Sequence, residues 1–113
     1  DVYKRQADRF DLRLPKIPPH CTGNGHMFYL LMKDVETRGD FIRDMKARGI
    51  TTPFHYVPLH SAPAGRKYGS VSGPLPVTDR ISETLVRLPM FFDLGSDIED
   101  VIDVATEVLE ARA

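Results

Sequence analysis

The strongest constraint on the fold lies near the end of the sequence. There Ile98, Val101, Ile102, Ala105, Val108 and Leu109 recur at the spacing of one helix face. A helix with such a stripe gains most of its stability from whatever covers the stripe, so the rest of the chain must supply an apolar surface to receive it. Gly95 closes the turn before this helix. Ser96 and Glu99 have the spacing of a capping box, in which each side chain satisfies a backbone donor at the helix start.

The partners for that stripe can be read upstream. His26 to Met32 is an aromatic and aliphatic run bounded by Asn24-Gly25 and Lys33-Asp34, with the length and composition of a buried strand. Thr37 to Arg48 reads as a helix capped by Thr37, with Phe41, Ile42 and Met45 on one side and Gly49 as its left-handed terminator. Ile50 to Val57 reads as a second strand, and Pro53 marks it as an edge or a bend. Val77 to Val86 reads as a helix with Val77, Ile81 and Leu85 on one face and a Glu83–Arg87 ion pair at i, i+4. Arg87 to Phe92 completes the set as a short third strand. The order strand, helix, strand, helix, strand, helix predicts an α+β fold: a small, three-stranded, mostly antiparallel sheet with helices packed on one face.

Two stretches stand outside this alternation. Ala7 to Gly25 contains Pro15, Pro18 and Pro19 around Leu12, Leu14 and Ile17, and reads as an extended lead-in with room for one edge strand. Asp1 to Gln6 carries neither periodicity nor a turn signal and is expected to be a non-native leader. The folded domain is then expected over 26–113. A loop rich in glycine and proline runs from Pro58 to Pro76, long enough to be functional rather than a bare connector.

Bulk properties exclude some functions. The formal net charge is -1 with acids and bases interspersed, which gives no basic stripe for nucleic-acid phosphates. No apolar run approaches the ~20 residues needed to span a bilayer, and the first residues are too polar for the core of a signal peptide. The single cysteine, Cys21, makes no internal disulfide, so a reducing cytoplasm is the default expectation.

No self-contained catalytic motif is present: neither of the common glycine-rich phosphate loops, no His-Glu-x-x-His and no Gly-x-Ser-x-Gly. What stands out is His55-Tyr56-Val57-Pro58-Leu59-His60, two imidazoles and a phenol at a strand end. Such groups hydrogen-bond sugar hydroxyls and phosphate oxygens, and the proline stiffens the exit. On residue type alone they read more simply as surface and half-buried polar side chains ending a strand. His55 and His60 supply half of a zinc spacing, and His20, Cys21 and His26 do not complete it convincingly, so no metal site is expected. Cys21 has no paired base for thiolate chemistry, and Lys67 beside Tyr68 reads as a solvated loop lysine rather than a Schiff-base former. Met27 to Met32 is most simply core.

The motifs taken in order are more specific than any one of them. His-Met-Phe-Tyr-Leu at 26–30 is followed by Arg-Gly-Ile-Thr-Thr-Pro-Phe-His-Tyr-Val-Pro-Leu-His at 48–60 and Ser-Ala-Pro-Ala-Gly at 61–65. Ser82, Glu83 and Leu-Val-Arg-Leu-Pro-Met-Phe at 85–91 come after them. From about Leu12 onward this series resembles the C-terminal part of the DegT/StrS family of sugar aminotransferases. The resemblance implies the small domain of an aspartate-aminotransferase fold. It further implies a homodimeric enzyme that uses pyridoxal phosphate to move an amino group from glutamate to a keto sugar carried on a nucleotide. The Schiff-base lysine and the aspartate facing the pyridine nitrogen belong, in the family pattern, to a larger domain that precedes this one, so no catalytic residue is expected here. Carried over by position, the resemblance puts His55, Tyr56 and His60 at the edge of the substrate cleft, with His26 as a further substrate-binding residue and Phe28 as an aromatic that could equally be core. A stand-alone binding or regulatory module on the same fold is the alternative. A charged surface around the loop would favour the module, and a broad apolar one the aminotransferase piece.

Overall fold

A computed structural model describes residue 10 and residues 12–112. The expected leader, Asp1 to Gln6, and part of the lead-in lie outside the described residues. In chain order the elements are β1 (Phe28–Leu31), α1 (Val35–Ala47), α2 (Pro63–Tyr68), α3 (Pro76–Thr84), β2 (Leu85–Leu88) and α4 (Asp97–Glu110).

The sheet is a two-stranded antiparallel ribbon. Tyr29 stands opposite Arg87, and Leu30 opposite Val86. The second strand expected, at Ile50–Val57, is reduced to one bridge, Phe54 to Val86, on the outer edge of β2. The Arg87 backbone N–H donates to the Pro53 carbonyl at 2.9 Å. Pro53 has no N–H to return, and Tyr56 turns the chain away with φ +58°. On the other edge, Arg13 bridges Leu31, the one trace of an edge strand among the described residues of the lead-in.

Side chains alternate across a strand, so the ribbon has two faces. Phe28, Leu30, Val86 and Leu88 share one, and helices α1 and α4 lie on it. Leu30, Val86 and Leu88 join Phe41 and Met45 of α1 and Ala105, Val108 and Leu109 of α4 in a single buried cluster. Of the last helix's apolar stripe, Val101, Ala105, Val108 and Leu109 are buried, and Ile98 and Ile102 are half-buried. Tyr29, Leu31, Leu85 and Arg87 take the opposite face.

Several boundaries differ from the sequence reading, each for a local reason. Helix α1 begins two residues earlier than expected. Its cap is Asp34, whose carboxylate accepts from the Thr37 backbone N–H at 2.8 Å and from the Thr37 hydroxyl at 2.7 Å. Those two donors hold the Asp34 carboxyl below its ordinary pKa. Gly49 ends the helix at φ +84°, in the left-handed conformation its position requires. The capping box at α4 does not form: Ser96 is itself helical and its side chain caps nothing. Asp97, Glu99 and Asp100 in the first turn complement the helix dipole instead.

Helix α3 starts at Pro76, which suits a first turn because its missing N–H would be unpaired there. It stops at Thr84 and passes directly into β2, so Leu85 is a strand residue rather than the third member of a helical stripe. No ion pair joins Glu83 to Arg87, because the two are no longer one helical turn apart. Part of the expected 58–76 loop is the short helix α2. Pro63 opens it, and Gly65 packs against the Leu59 carbonyl so closely that a Cβ built on Gly65 would lie 1.6 Å from that oxygen.

Candidate functional site

The chain from His55 to His60 runs as a strap across the face of the molecule on which α3 lies. Pro53 and Pro58 stiffen its two ends, and the single left-handed non-glycine backbone among the described residues, Tyr56, lies between them. That conformation is uncommon for a bulky side chain and costs about 1–3 kcal/mol, so the surrounding structure must impose it. The result is that successive side chains diverge. His55 is half-buried, whereas Tyr56 is 72% exposed. Their rings meet edge to face with centroids 5.0 Å apart. The Nδ1 atom of His55 is shielded and makes no hydrogen bond among the described residues.

Two hollows adjoin the strap, and a third lies apart from it. The first, about 390 Å³, lies between the strap and α3, with His55, Tyr56 and Pro58 on one side and Thr78, Ile81 and Ser82 on the other. The second, about 750 Å³, continues from it across Pro58 and Thr78 and takes in Leu59, His60, Tyr68 and Val71. The third, about 200 Å³, is lined by His26, Thr51, Arg87 and Met90 among others and includes no residue of the strap. The four residues singled out in the sequence therefore do not form one constellation. His55 and Tyr56 share the first hollow, His60 lines the adjoining one, and His26 belongs to the third.

His60 differs from the other histidines in having a committed partner. Its Nε2 lies 2.7 Å from Asp79 Oδ1, with the imidazole largely buried and the carboxylate half-exposed. The contact clasps the end of the strap to the first turn of α3. His26 is exposed, and its Nδ1 lies 2.6 Å from the Asn24 side-chain oxygen. Phe28 lies on the helix side of the ribbon, packed against the buried cluster, which settles it as a core-flanking residue. Arg38 braces the site from behind: one guanidinium nitrogen donates to the Ser82 carbonyl at 2.7 Å, and the guanidinium lies 5.5 Å from the centre of the Phe54 ring.

Two residues the sequence reading did not single out belong to this region. No local signal in the sequence marks Asp79, and only the fold brings it to His60. Arg87 had been paired with Glu83 on a helix. As a strand residue it instead points off the open face of the ribbon, 5.8 Å from the Tyr56 ring centre. Lys67 is exposed beside Tyr68, its ammonium 4.9 Å from the ring centre, as expected for a solvated lysine. Among the described residues no three of His, Cys, Asp and Glu gather in a way that could hold a metal ion, and no helix is long and apolar enough to cross a membrane.

The pattern of the DegT/DnrJ/EryC1/StrS aminotransferase family matches residues 2–108, nearly the whole chain. This chain belongs to that family. Among curated relatives, it is 30% identical over 109 residues to the dTDP-3-amino-3,4,6-trideoxy-alpha-D-glucose transaminase of Micromonospora megalomicea subsp. nigra. That alignment covers 91% of this chain and 28% of the relative, so the chain spans less than a third of the relative's length. Among solved structures, the aminotransferase TlmJ from Streptoalloteichus hindustanus superposes with a TM-score of 0.75 at 29% identity, over 99% of this chain and 32% of TlmJ. DesV of S. venezuelae, solved in complex with a ketimine intermediate, gives a TM-score of 0.77 at 26% identity, over 96% of this chain and 30% of DesV. The family assignment agrees with the motif series at 48–65. Gly65, the last residue of that series, lies in the first turn of α2, where the Leu59 carbonyl leaves no room for a Cβ.

Proposed function

We propose that this chain serves as the C-terminal small domain of a pyridoxal-phosphate-dependent nucleotide-sugar aminotransferase. Such an enzyme moves an amino group from glutamate to a keto sugar of the dTDP-4-keto-6-deoxyhexose type, as in making dTDP-4-amino-4,6-dideoxygalactose. The observation that carries this reading is the composition of the site's surroundings. Tyr56, Val57, Leu59, Tyr68, Val71 and Val77 are all exposed around the first two hollows. An apolar surface of that extent suits a domain completed by more protein and disfavours the stand-alone module, which would present charge there.

In this reading His55 and Tyr56 contact the nucleotide-sugar from the strap. Tyr56 offers a ring face and a phenol, and His55 a shielded nitrogen with hydrogen-bonding capacity to spare. His60 fixes the strap through Asp79, and His26 contributes from the third hollow. The electron-sink chemistry of the reaction belongs to pyridoxal phosphate. The residues present do not fit as the holder of that cofactor. A Schiff-base lysine must be desolvated or set beside another cation to be reactive at neutral pH, and Lys16, Lys33, Lys46 and Lys67, the lysines among the described residues, are all exposed. The cofactor is therefore assigned to the larger part of a full-length, homodimeric, cytoplasmic enzyme. The chain alone is inactive in this reading.

The test is the DNA upstream of the codon for Asp1. The expected result is an open reading frame that continues upstream through a pyridoxal-lysine segment. A start codon immediately before Asp1, together with a chain that binds a nucleotide-sugar alone, would favour the stand-alone module instead.

A further inference from the structure

We propose that Arg87 forms an oxyanion-binding site with the hollow it shares with His26 and Thr51, apart from the cleft lined by His55. Arginine stays protonated in proteins, and its planar fork of donors matches the paired oxygens of carboxylates and phosphates. An arginine set into a sheet therefore has a carboxylate partner, a set of carbonyl acceptors, or a ligand. Among the described residues Arg87 has neither of the first two. Its Nε is shielded from solvent and makes no hydrogen bond among the described residues. Among the described residues no ion pair reaches the guanidinium, and the Tyr56 ring centre lies 5.8 Å from Cζ.

The surroundings favour an anion. The hollow of about 200 Å³ is lined by His26, Met27, Thr51, Pro53, Leu88, Pro89 and Met90 besides Arg87, and none of these is acidic. His26 and Thr51 supply polar groups beside the guanidinium, and the Asn24 side chain fixes the orientation of the imidazole. The backbone of Arg87 is held by its N–H to the Pro53 carbonyl and by the register with Tyr29. The cation is thus mounted on the sheet rather than on a loop, which is the placement that keeps a binding group in position.

The site rests on this geometry alone. Only the natural source of the anion rests on the aminotransferase reading, which offers two: the diphosphate of a nucleotide-sugar and the carboxylates of the amino donor.

The experiment is an NMR titration of the isotope-labelled chain at constant ionic strength near 0.1 M, where diffuse charge effects are largely screened. Inorganic pyrophosphate and glutarate are the two probes, and the arginine Nε–H signals and the Thr51 amide report binding. A saturable shift of the Arg87 Nε–H is expected with at least one anion. Arg87→Met should abolish it. Arg87→Lys, which keeps the charge and the stem, should weaken it about tenfold, or about 1.4 kcal/mol. Arg43→Met, at an exposed arginine on α1, should leave it unchanged. Tighter binding of pyrophosphate assigns the site to the diphosphate, and tighter binding of glutarate to the amino donor. No saturable shift with either anion, or equal binding by Arg87→Met with its circular dichroism intact, overturns the proposal. Neither result bears on the reading frame upstream of Asp1, so the two proposals fail separately.

Discussion

On one face of the β1–β2 ribbon, Leu30, Val86 and Leu88 lie beneath α1 and α4, and apolar contact is complete. On the other, the Arg87 Nε has no acceptor among the described residues, and the strap beside it presents Tyr56 and Leu59 to solvent. The two faces belong to the same four-residue strands, and they are built from residues of similar size. What separates them is what the chain brings to each. Two amphipathic helices close the first face, whereas the second meets only short pieces: a six-residue helix, a strap held at two prolines, and α3 with Val77 turned outward. The first face accounts for why the chain folds, and the second for what it could do.

The largest test of that difference compares two apolar truncations. Phe41 is fully buried under the ribbon, and Phe41→Ala should destabilise the chain by about 3–5 kcal/mol through lost burial and the cavity left behind. Leu59 is 84% exposed on the strap, and Leu59→Ala should change stability by no more than about 0.5 kcal/mol. Urea unfolding followed by circular dichroism reads both. Comparable losses at the two positions would mean that the strap is part of the core and that the contrast between the faces is wrong.

The same division decides how much could be read from the sequence. The covered face was legible because helical periodicity is a property of the residues themselves: Val101, Ala105, Val108 and Leu109 are buried as their spacing says, as are Phe41 and Met45. The open face was legible only as a motif. Nothing in the local pattern around Ile50–Val57 shows that Pro53 and the left-handed Tyr56 limit pairing to one bridge. Nor does the pattern show that α3 ends at Thr84, because Leu85 suits a helix stripe and a buried strand equally well. Moving that boundary turned Arg87 from a helix ion-pair partner into an arginine without one. Asp79 was invisible for a different reason. Its meeting with His60 joins positions 19 apart, which no local signal encodes.

Two glycines sharpen the contrast at intermediate size. Gly39 sits inside α1 with nothing within 4 Å of the position its Cβ would take. Gly39→Ala should therefore raise stability by about 0.5–1 kcal/mol, through the lower backbone entropy of the unfolded chain and better helix propensity. Gly65 lies against the Leu59 carbonyl, and Gly65→Ala should lower stability by about 1–3 kcal/mol as α2 and the strap are forced apart. The opposite signs are the informative outcome in thermal melts of the two variants. If Gly65→Ala were neutral, α2 would be free to shift, and the shape of the second hollow would not be fixed by the packing of Gly65 against the Leu59 carbonyl.

The smallest effect compares two arginines. Arg112 reaches across from the end of α4 to Asp40 and Asp44 on α1. One guanidinium nitrogen lies 2.7 Å from an Asp40 oxygen, and another 2.9 Å from an Asp44 oxygen. Arg43 adds a second cation 2.6 Å from Asp40. Hydrogen bonds from Arg43 and then from Arg112 hold the Asp40 carboxyl below its ordinary pKa of 3.8. A depressed carboxyl pKa means that the folded state binds the proton less readily than the unfolded state. Its stabilising contribution is therefore fully present above the ordinary value and is lost as the pH falls through the depressed one. Melting temperatures measured from about pH 5 down to about pH 2 should show this loss, and Asp40→Asn should flatten that part of the curve. The effect should be modest because the pair is partly exposed to water. Arg87→Met should leave the same acid limb unchanged, since no carboxylate on the described chain depends on Arg87. If the acid limb instead moved with Arg87→Met, that arginine would have a carboxylate partner of its own, and its side of the ribbon would be as self-sufficient as the helical one.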